Sequence, residues 1–215
     1  METARFRDEQ QLARHILLYA KDRPRTFIGI AGIPGAGKST LARHLRDALG
    51  HIAHRPDIAT VVPLDGFHLG NAELSERGMV ERKGSPETFL AQTFFSKLIE
   101  IKRGGRPVLM PAYSRQLHEP VPDALEVRPE TTFVIVEGNY VLCEFGVWRS
   151  IAALFDVKVF VDTPAEKAKQ WILDRHIAGG LTPEEAAAKY ERNDKLNSEI
   201  ISIARQNAEI IFETA

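Results

Sequence analysis

Residues 32 to 39 read GIPGAGKS, which places glycines, a lysine and a hydroxyl at the spacing G-x-x-x-x-G-K-[ST]. Gly32, Gly35 and Gly37 permit backbone conformations and close approaches that a Cβ would block. Successive N–H groups, through Ala36 and on to Thr40, can therefore ring a phosphate. A helix starting here adds about half a positive charge at its N-terminus. Lys38 can bridge β- and γ-phosphates, and the Ser39 hydroxyl can hold Mg²⁺. The motif implies binding of a nucleoside triphosphate, expected to be ATP with Mg²⁺; a flexible glycine turn capped by Ser39 is the structural alternative. Two carboxylates stand at comparable places further on. Asp65 lies in PLDGFH (63 to 68), and Glu137 lies in FVIVEGNY (133 to 140). An ordinary aspartate, with a pKa near 3.9, is ionised at neutral pH and can accept a hydrogen bond from a substrate hydroxyl. Asp65 followed by Gly66 also suits a turn in which the side chain caps its own backbone. Glu137 can serve Mg²⁺ through water, or simply pair with a nearby cation.

The elements that must position these groups alternate in type. TFIGIAG (26 to 32), ATVVPLDG (59 to 66), a short run near 107 to 110, TFVIVEG (132 to 138), DVKVFVD (156 to 162) and AEIIFETA (208 to 215) read as strands. Helical spacing appears over 7 to 20, with Leu12, Ile16 and Tyr19 on one face, and again over 38 to 49. A helix over 86 to 102 is predicted to start with Ser85 as N-cap and Pro86 at its first position, and Gly104-Gly105 stops it. TPAE (163 to 166) and TPEE (182 to 185) read as capping boxes, with a break at HIAGG between them. The stretch 63 to 85 is the longest without periodicity. Strands separated by helices of this length predict an α/β fold of the P-loop NTPase type: three layers around a mostly parallel sheet of about five strands.

Composition narrows the function classes. The 215 residues carry 28 Lys and Arg against 29 Asp and Glu, a formal net charge of −1, so no global field draws the chain to nucleic acid or to an anionic membrane. Any anion must be held by a local site. The single cysteine, Cys143, has no internal partner, and no apolar run approaches 20 residues. A cytoplasmic protein of one domain, 1–215, is expected. His68 and His118 lack paired metal-ligand spacing, although His68 follows Asp65 closely enough to line the same pocket. Trp148 and Trp171 are expected in the core or in helix packing, and the basic run Arg77, Arg82, Lys83 reads as a solvated loop, with a substrate-facing role as the alternative. A GTP-dependent switch would need N-K-x-D, which RNDKLN (192 to 197) does not fit, so a phosphotransferase is favoured over a regulatory NTPase.

GIPGAGKST, LDGFH, VEGNY and VDTP together resemble the P-loop kinase group of uridine kinase, phosphoribulokinase and bacterial-type pantothenate kinase. RGMVERKGSPETF (77 to 89) and PAYSRQLHEPVPD (111 to 123) look like the substrate region of pantothenate kinase. GGLTPEEA and NDKLN are similar to a bacterial subgroup that carries the names fructose-transport-system kinase and fructokinase. The resemblance implies ATP- and Mg²⁺-dependent phosphorylation of a hydroxyl on a small metabolite, with a sugar-like acceptor preferred and pantothenate or a nucleoside as alternatives. It implies an acceptor region about 65–123 and a lid about 172–184. Catalysis would fall to Lys38, Asp65 and a lid arginine, Arg175, with Arg149 or Arg192 as alternative fingers. Acceptor contacts would come from Asp65, His68, Tyr113, Arg115 and Asn197. The pantothenate kinase pattern has a histidine where Arg115 stands, and a planar cation there favours a polyhydroxylated or anionic acceptor over pantothenate. No nucleic-acid or membrane partner is implied, and assembly into a homo-oligomer is left open.

Overall fold

The structure, a computed structural model, describes residues 3–214. Its central strand, β2 (Thr26–Ala31), alternates Phe27 and Ala31 toward one face with Ile28 and Ile30 toward the other. Both sets are buried, as a strand covered on both sides requires. Gly29 supplies the exception, since a Cβ there would stand 2.6 Å from the Phe155 ring. Around β2 the parallel sheet runs β1 (Ala4–Phe6), β8 (Ile210–Glu213), β7 (Val157–Asp162), β2, β6 (Phe133–Glu137), β3 (Ala59–Pro63).

One face is covered by α1 (Glu9–Tyr19) and α2 (Lys38–Ile52). Leu12, Ile16, Leu45 and Leu49 from these helices pack on Ile28, Ile30, Ile135 and Val159. The other face takes α4 (Ala91–Arg103), α5 (Gly146–Ala152) and α8 (Lys195–Ile203) through Phe94, Leu98, Trp148 and Ile201. The remaining helices are α3 (Asn71–Glu76), α6 (Ala165–Ala178) and α7 (Pro183–Lys189). The expected α/β fold is therefore observed, with six strands in the sheet where about five were expected. The addition is β1, whose three residues are too few to show an alternation. Among the described residues no helix is long and apolar enough to cross a membrane.

Register decides the position of the site. Glu137 pairs with Ile30 of β2 and with Pro63 of β3, so three strands end at one level. The phosphate loop, the Asp65 turn and Glu137 thereby meet along one edge, where open parallel sheets bind ligands. A single turn of 3₁₀-helix, Leu64–Phe67, carries Asp65. Over it lies an antiparallel hairpin, β4 (Val108–Ser114) and β5 (Glu119–Val127), so close that a Cβ on Gly66 would stand 2.3 Å from the Pro111 carbonyl. The expected run near 107 to 110 is longer than the sequence suggested, and β5 was not foreseen because Pro120 and Pro122 argue against a strand. A two-stranded hairpin has outer edges that need no ladder donors, and this is where proline is tolerated.

Several local expectations are corrected. Ser85 does not cap a helix: Pro86–Thr88 form a 3₁₀ turn, α4 begins at Ala91, and the buried Ser85 hydroxyl has no hydrogen-bond partner. Thr88 takes the local bonds instead, accepting from Gly84 N at 3.0 Å and donating to Ser85 O at 2.8 Å. TPAE forms no box, because Thr163 donates to Ala36 O at 2.9 Å and α6 starts without a side-chain cap. TPEE forms its box, with Thr182 and Glu185 bonded reciprocally. Tyr19 is half exposed, stacked under Arg23.

Candidate active site

The phosphate loop leaves β2 and enters α2 as the motif requires. Gly35 and Gly37 adopt φ of 78° and 88°, in the left-handed region that favours glycine. At Gly35 a Cβ would lie 2.2 Å from the Ala168 carbonyl, so the loop packs backbone against the first turns of α6. Lys38 opens α2, is 8% exposed, and donates to Ile33 O at 3.0 Å across the loop. Burial drives its pKa down to about 8, while the charges of Glu137 and Asp65 push it up and that of Arg175 pushes it down.

Glu137 is 5% exposed and accepts a 2.9 Å hydrogen bond from Ser39 Oγ. Burial first, then the charge of Asp65, raise its pKa to about 7; Lys38, the Ser39 bond and Arg115 act in the opposite sense. Asp65 thus shares an electrostatic neighbourhood with both groups, while its side chain stays nearly half exposed at the mouth. The pair of hard oxygens, Ser39 Oγ and Glu137, fits Mg²⁺, which uses one or two protein ligands and completes its shell with phosphate oxygens and water.

A cavity of about 670 Å³ lies over the loop; the phosphate loop and Lys38 form its floor, Arg115 and Arg175 add cations, Glu9 and Asp174 add carboxylates, and Trp171 and Phe212 add apolar surface. This is an ordinary size for a small-ligand site. A second cavity, about 780 Å³, opens beyond Ile33, and its charges are already paired, Arg205 with Asp162 at 2.8 Å and Arg7 with Glu213 at 2.7 Å.

On the other side of Asp65 lie His68 and Tyr113. His68 stacks on Phe89 with centroids 4.0 Å apart, meets Tyr113 edge-on at 5.4 Å, and holds Nε2 3.9 Å from Asp65 Oδ1. Burial lowers its pKa to about 4, so the ring is neutral at pH 7, and Nδ1 is buried without a hydrogen bond of good geometry. The Tyr113 hydroxyl is pushed up from its usual pKa by burial, then by Asp65 and Glu119, while Arg175 opposes.

The structure therefore brings together Lys38, Ser39, Asp65, Glu137, His68, Tyr113, Arg115 and Arg175. Asn197 differs: it is 4% exposed and donates to Asn193 Oδ1 at 3.4 Å, held against Gly84 rather than open to the cavity. Arg149 donates to Glu144 O and Arg192 pairs with Glu81, and neither lines the cavity over the loop. Arg115 sits on the nucleotide side, beside Lys38 and Ser39, and not only among acceptor contacts.

Two residues were misjudged from sequence. Trp171 is not core: it is 40% exposed and lines the cavity. A signal was present, since it precedes Arg175 by four and shares its helix face. Lys83 is not a freely solvated loop cation. It donates to Asn71 Oδ1 and His118 O, both at 2.7 Å, and lies over the Tyr113 ring, whereas Arg77 and Arg82 form the exposed pairs expected of the basic run.

A glycine phosphate loop between strand and helix, a buried strand-end glutamate on its serine, and a carboxylate at the mouth define a P-loop phosphotransferase. The chain belongs to the phosphoribulokinase / uridine kinase family, which it matches over residues 27–215. It is 31% identical over 200 residues to a Schizosaccharomyces pombe protein named "Putative uridine kinase C227.14", covering 90% of this chain and 85% of that one. It is 36% identical over 173 residues to the pantothenate kinase of Nocardioides, covering 77% of this chain and 52% of that one. Among solved structures, a "putative fructose transport system kinase" from Silicibacter superposes with a TM-score of 0.87 at 33% identity, covering 96% of this chain and all of that one. The protein is accordingly a kinase that transfers a phosphoryl group to a hydroxyl acceptor, and kinases of this family use ATP.

Proposed function

We propose that this kinase phosphorylates a sugar or sugar-like metabolite, held beside Asp65 in a single domain whose acceptor region is about 65–123 and whose lid is about 172–184. The observation that carries the reading is the shared field of Asp65, Lys38 and Glu137 at the strand ends, with Asp65 alone of the three open to an acceptor. The loop amides and Lys38 bind the phosphates. Mg²⁺, held by Ser39 and Glu137, would neutralise charge on the β- and γ-phosphates. Asp65 orients the acceptor hydroxyl, whose oxygen forms a bond to the γ-phosphorus. The bond from that phosphorus to the β–γ bridging oxygen breaks, ADP leaves with the electron pair, and the hydroxyl proton passes to the Asp65 carboxylate.

Support for a polyhydroxylated acceptor comes from the neutral groups beside Asp65. The His68 imidazole and the Tyr113 hydroxyl can each donate or accept toward hydroxyls without demanding an anion. Trp171, with Leu41 and Phe212, offers an apolar end to the cavity suited to the nucleotide base. Pantothenate or a nucleoside is the second reading. It is favoured by the turn of Arg115 toward the phosphate loop, which weakens that residue as an argument against pantothenate.

The test is ADP release and product formation with sugars, pantothenate, nucleosides and vitamins as acceptors. One sugar or polyol should stimulate release and appear phosphorylated. Stimulation by pantothenate or a nucleoside alone would replace the sugar reading, and slow release indifferent to every acceptor would favour a nucleotide-sensing regulator. With the responsive acceptor, Arg175→Ala should lower turnover by about 100-fold while changing ATP affinity far less, because the arginine meets charge that develops in the transition state. An unchanged rate would remove Arg175 from the mechanism.

A further inference from the structure

The hairpin that covers Asp65 also reaches the donor side of the site. Arg115 follows directly on β4, in the turn before β5, and its side chain lines the cavity over the phosphate loop together with Lys38, Ser39 and Arg175. The turn is fixed on both flanks. Lys83 donates to the His118 carbonyl at 2.7 Å, and Asn71 N donates to Glu119 Oε1 at 2.9 Å, which ties the turn to the segment after Asp65. On the far flank, the His118 ring stands 3.8 Å from where a Cβ on Gly179 would lie, at the glycine break that ends α6.

Charge at this place is unbalanced. Arg82, Arg192 and Arg205 each meet a carboxylate, whereas among the described residues neither Arg115 nor Arg175 forms an ion pair. Three cations thus line one cavity against two carboxylates, Glu9, which meets His44 at 3.0 Å, and Asp174, which accepts from Gln170 at 2.8 Å, while Glu137 is already bonded to Ser39. A concave site with surplus fixed positive charge is complementary to a polyanion. A guanidinium presents a planar fork of donors that matches phosphate oxygens bidentately.

We propose that Arg115 is a second catalytic arginine, delivered by the acceptor-side hairpin to the γ-phosphoryl group opposite Arg175. It rests on the phosphotransferase reading above. Because the same hairpin packs on the Asp65 turn through Pro111 and Gly66, one element spans acceptor and donor. An acceptor that settles the hairpin therefore also settles a contact to the group being transferred.

Calorimetric titration of the whole chain in Mg²⁺ with a non-hydrolysable ATP analogue carrying a β–γ imido bridge, and separately with ADP, tests this without knowledge of the acceptor. Arg115→Ala should lower the ratio of analogue affinity to ADP affinity by about tenfold relative to wild type, and Arg115→Lys should recover part of it. An unchanged ratio in Arg115→Ala, with circular dichroism showing the fold intact, overturns the proposal. Once the responsive acceptor is in hand, steady-state rates that show a rise in its KM at unchanged kcat, the mark of an acceptor contact, overturn it as well. If Arg115→Ala does not fold, the ratio measured in Arg115→Gln decides by the same criterion. A wild-type chain that bound neither nucleotide would overturn the phosphotransferase reading itself, an outcome distinct from the loss of Arg115 alone.

Discussion

Asp65→Asn is expected to lower turnover by about 100- to 10,000-fold while nucleotide binding persists. Asparagine keeps the shape of the side chain and suits the same turn, so the 3₁₀ segment Leu64–Phe67, closed by His68 N on Asp65 O, has no reason to rearrange. The side chain is nearly half exposed, so folding does not depend on its burial. The charge and the capacity to receive the acceptor proton are lost. In phosphoryl transfer these act through positioning and late proton acceptance, an effect on rate more than on nucleotide affinity. The electrostatic consequence runs the same way: without Asp65, Glu137 is less strongly pushed upward and ionises at lower pH. Steady-state rates with the responsive acceptor, together with calorimetric ATP binding, check the prediction. Full turnover with ATP binding intact would leave Asp65 as no more than a turn former.

Lys38→Met is expected to lower turnover by about 1,000-fold and to leave thermal stability unchanged or raised at pH 7. The catalytic loss follows from removing a fixed cation from the β- and γ-phosphates in a site shielded from water. The stability result follows from burial. The folded-state pKa of Lys38, about 8, lies below the usual 10.5, so the folded chain binds the proton less readily than the unfolded chain does. The charged lysine therefore opposes folding. The opposition is complete below about pH 8, shrinks as pH rises from there, and vanishes near 10.5. Methionine fills similar space without a charge, and Glu137, already raised to about 7, can take a proton when its cationic neighbour is gone. Scanning calorimetry from pH 7 to 10 should show the advantage of Lys38→Met over wild type narrowing above pH 8. A variant that was inactive and markedly less stable at pH 7 would mean that Lys38 is a structural cation first.

Much of this was legible in the order of residues because it depends on neighbours within a few positions. The phosphate loop needs glycine where φ is positive, and Gly35 and Gly37 stand there. The TPEE box closes between Thr182 and Glu185, and the helical face Leu12, Ile16 is buried as its spacing predicted. Strand-end carboxylates beside the loop could be named as soon as strands and helices were seen to alternate. The P-loop kinase resemblance followed from the same stretches.

The rest was decided by partners distant in the chain. Thr163 gives its hydroxyl to Ala36, 127 residues away, and so is unavailable to cap its own helix. Ser85 lost its cap when Thr88 took the local bonds and Phe67 O accepted from Leu90 N. Trp171 looks like core in a list of residues, and only the seating of α6 against Gly35 turns it into the cavity. Arg115 stands among acceptor contacts by its place in the sequence, yet the hairpin carries it over the phosphate loop. The sequence by itself determined a P-loop, its helix, and carboxylates able to serve it, because local spacing dictates backbone conformation. Only the tertiary structure decided which cations surround the transferred group, because that depends on where a hairpin and a helix, far apart in sequence, come to rest over the same strand ends.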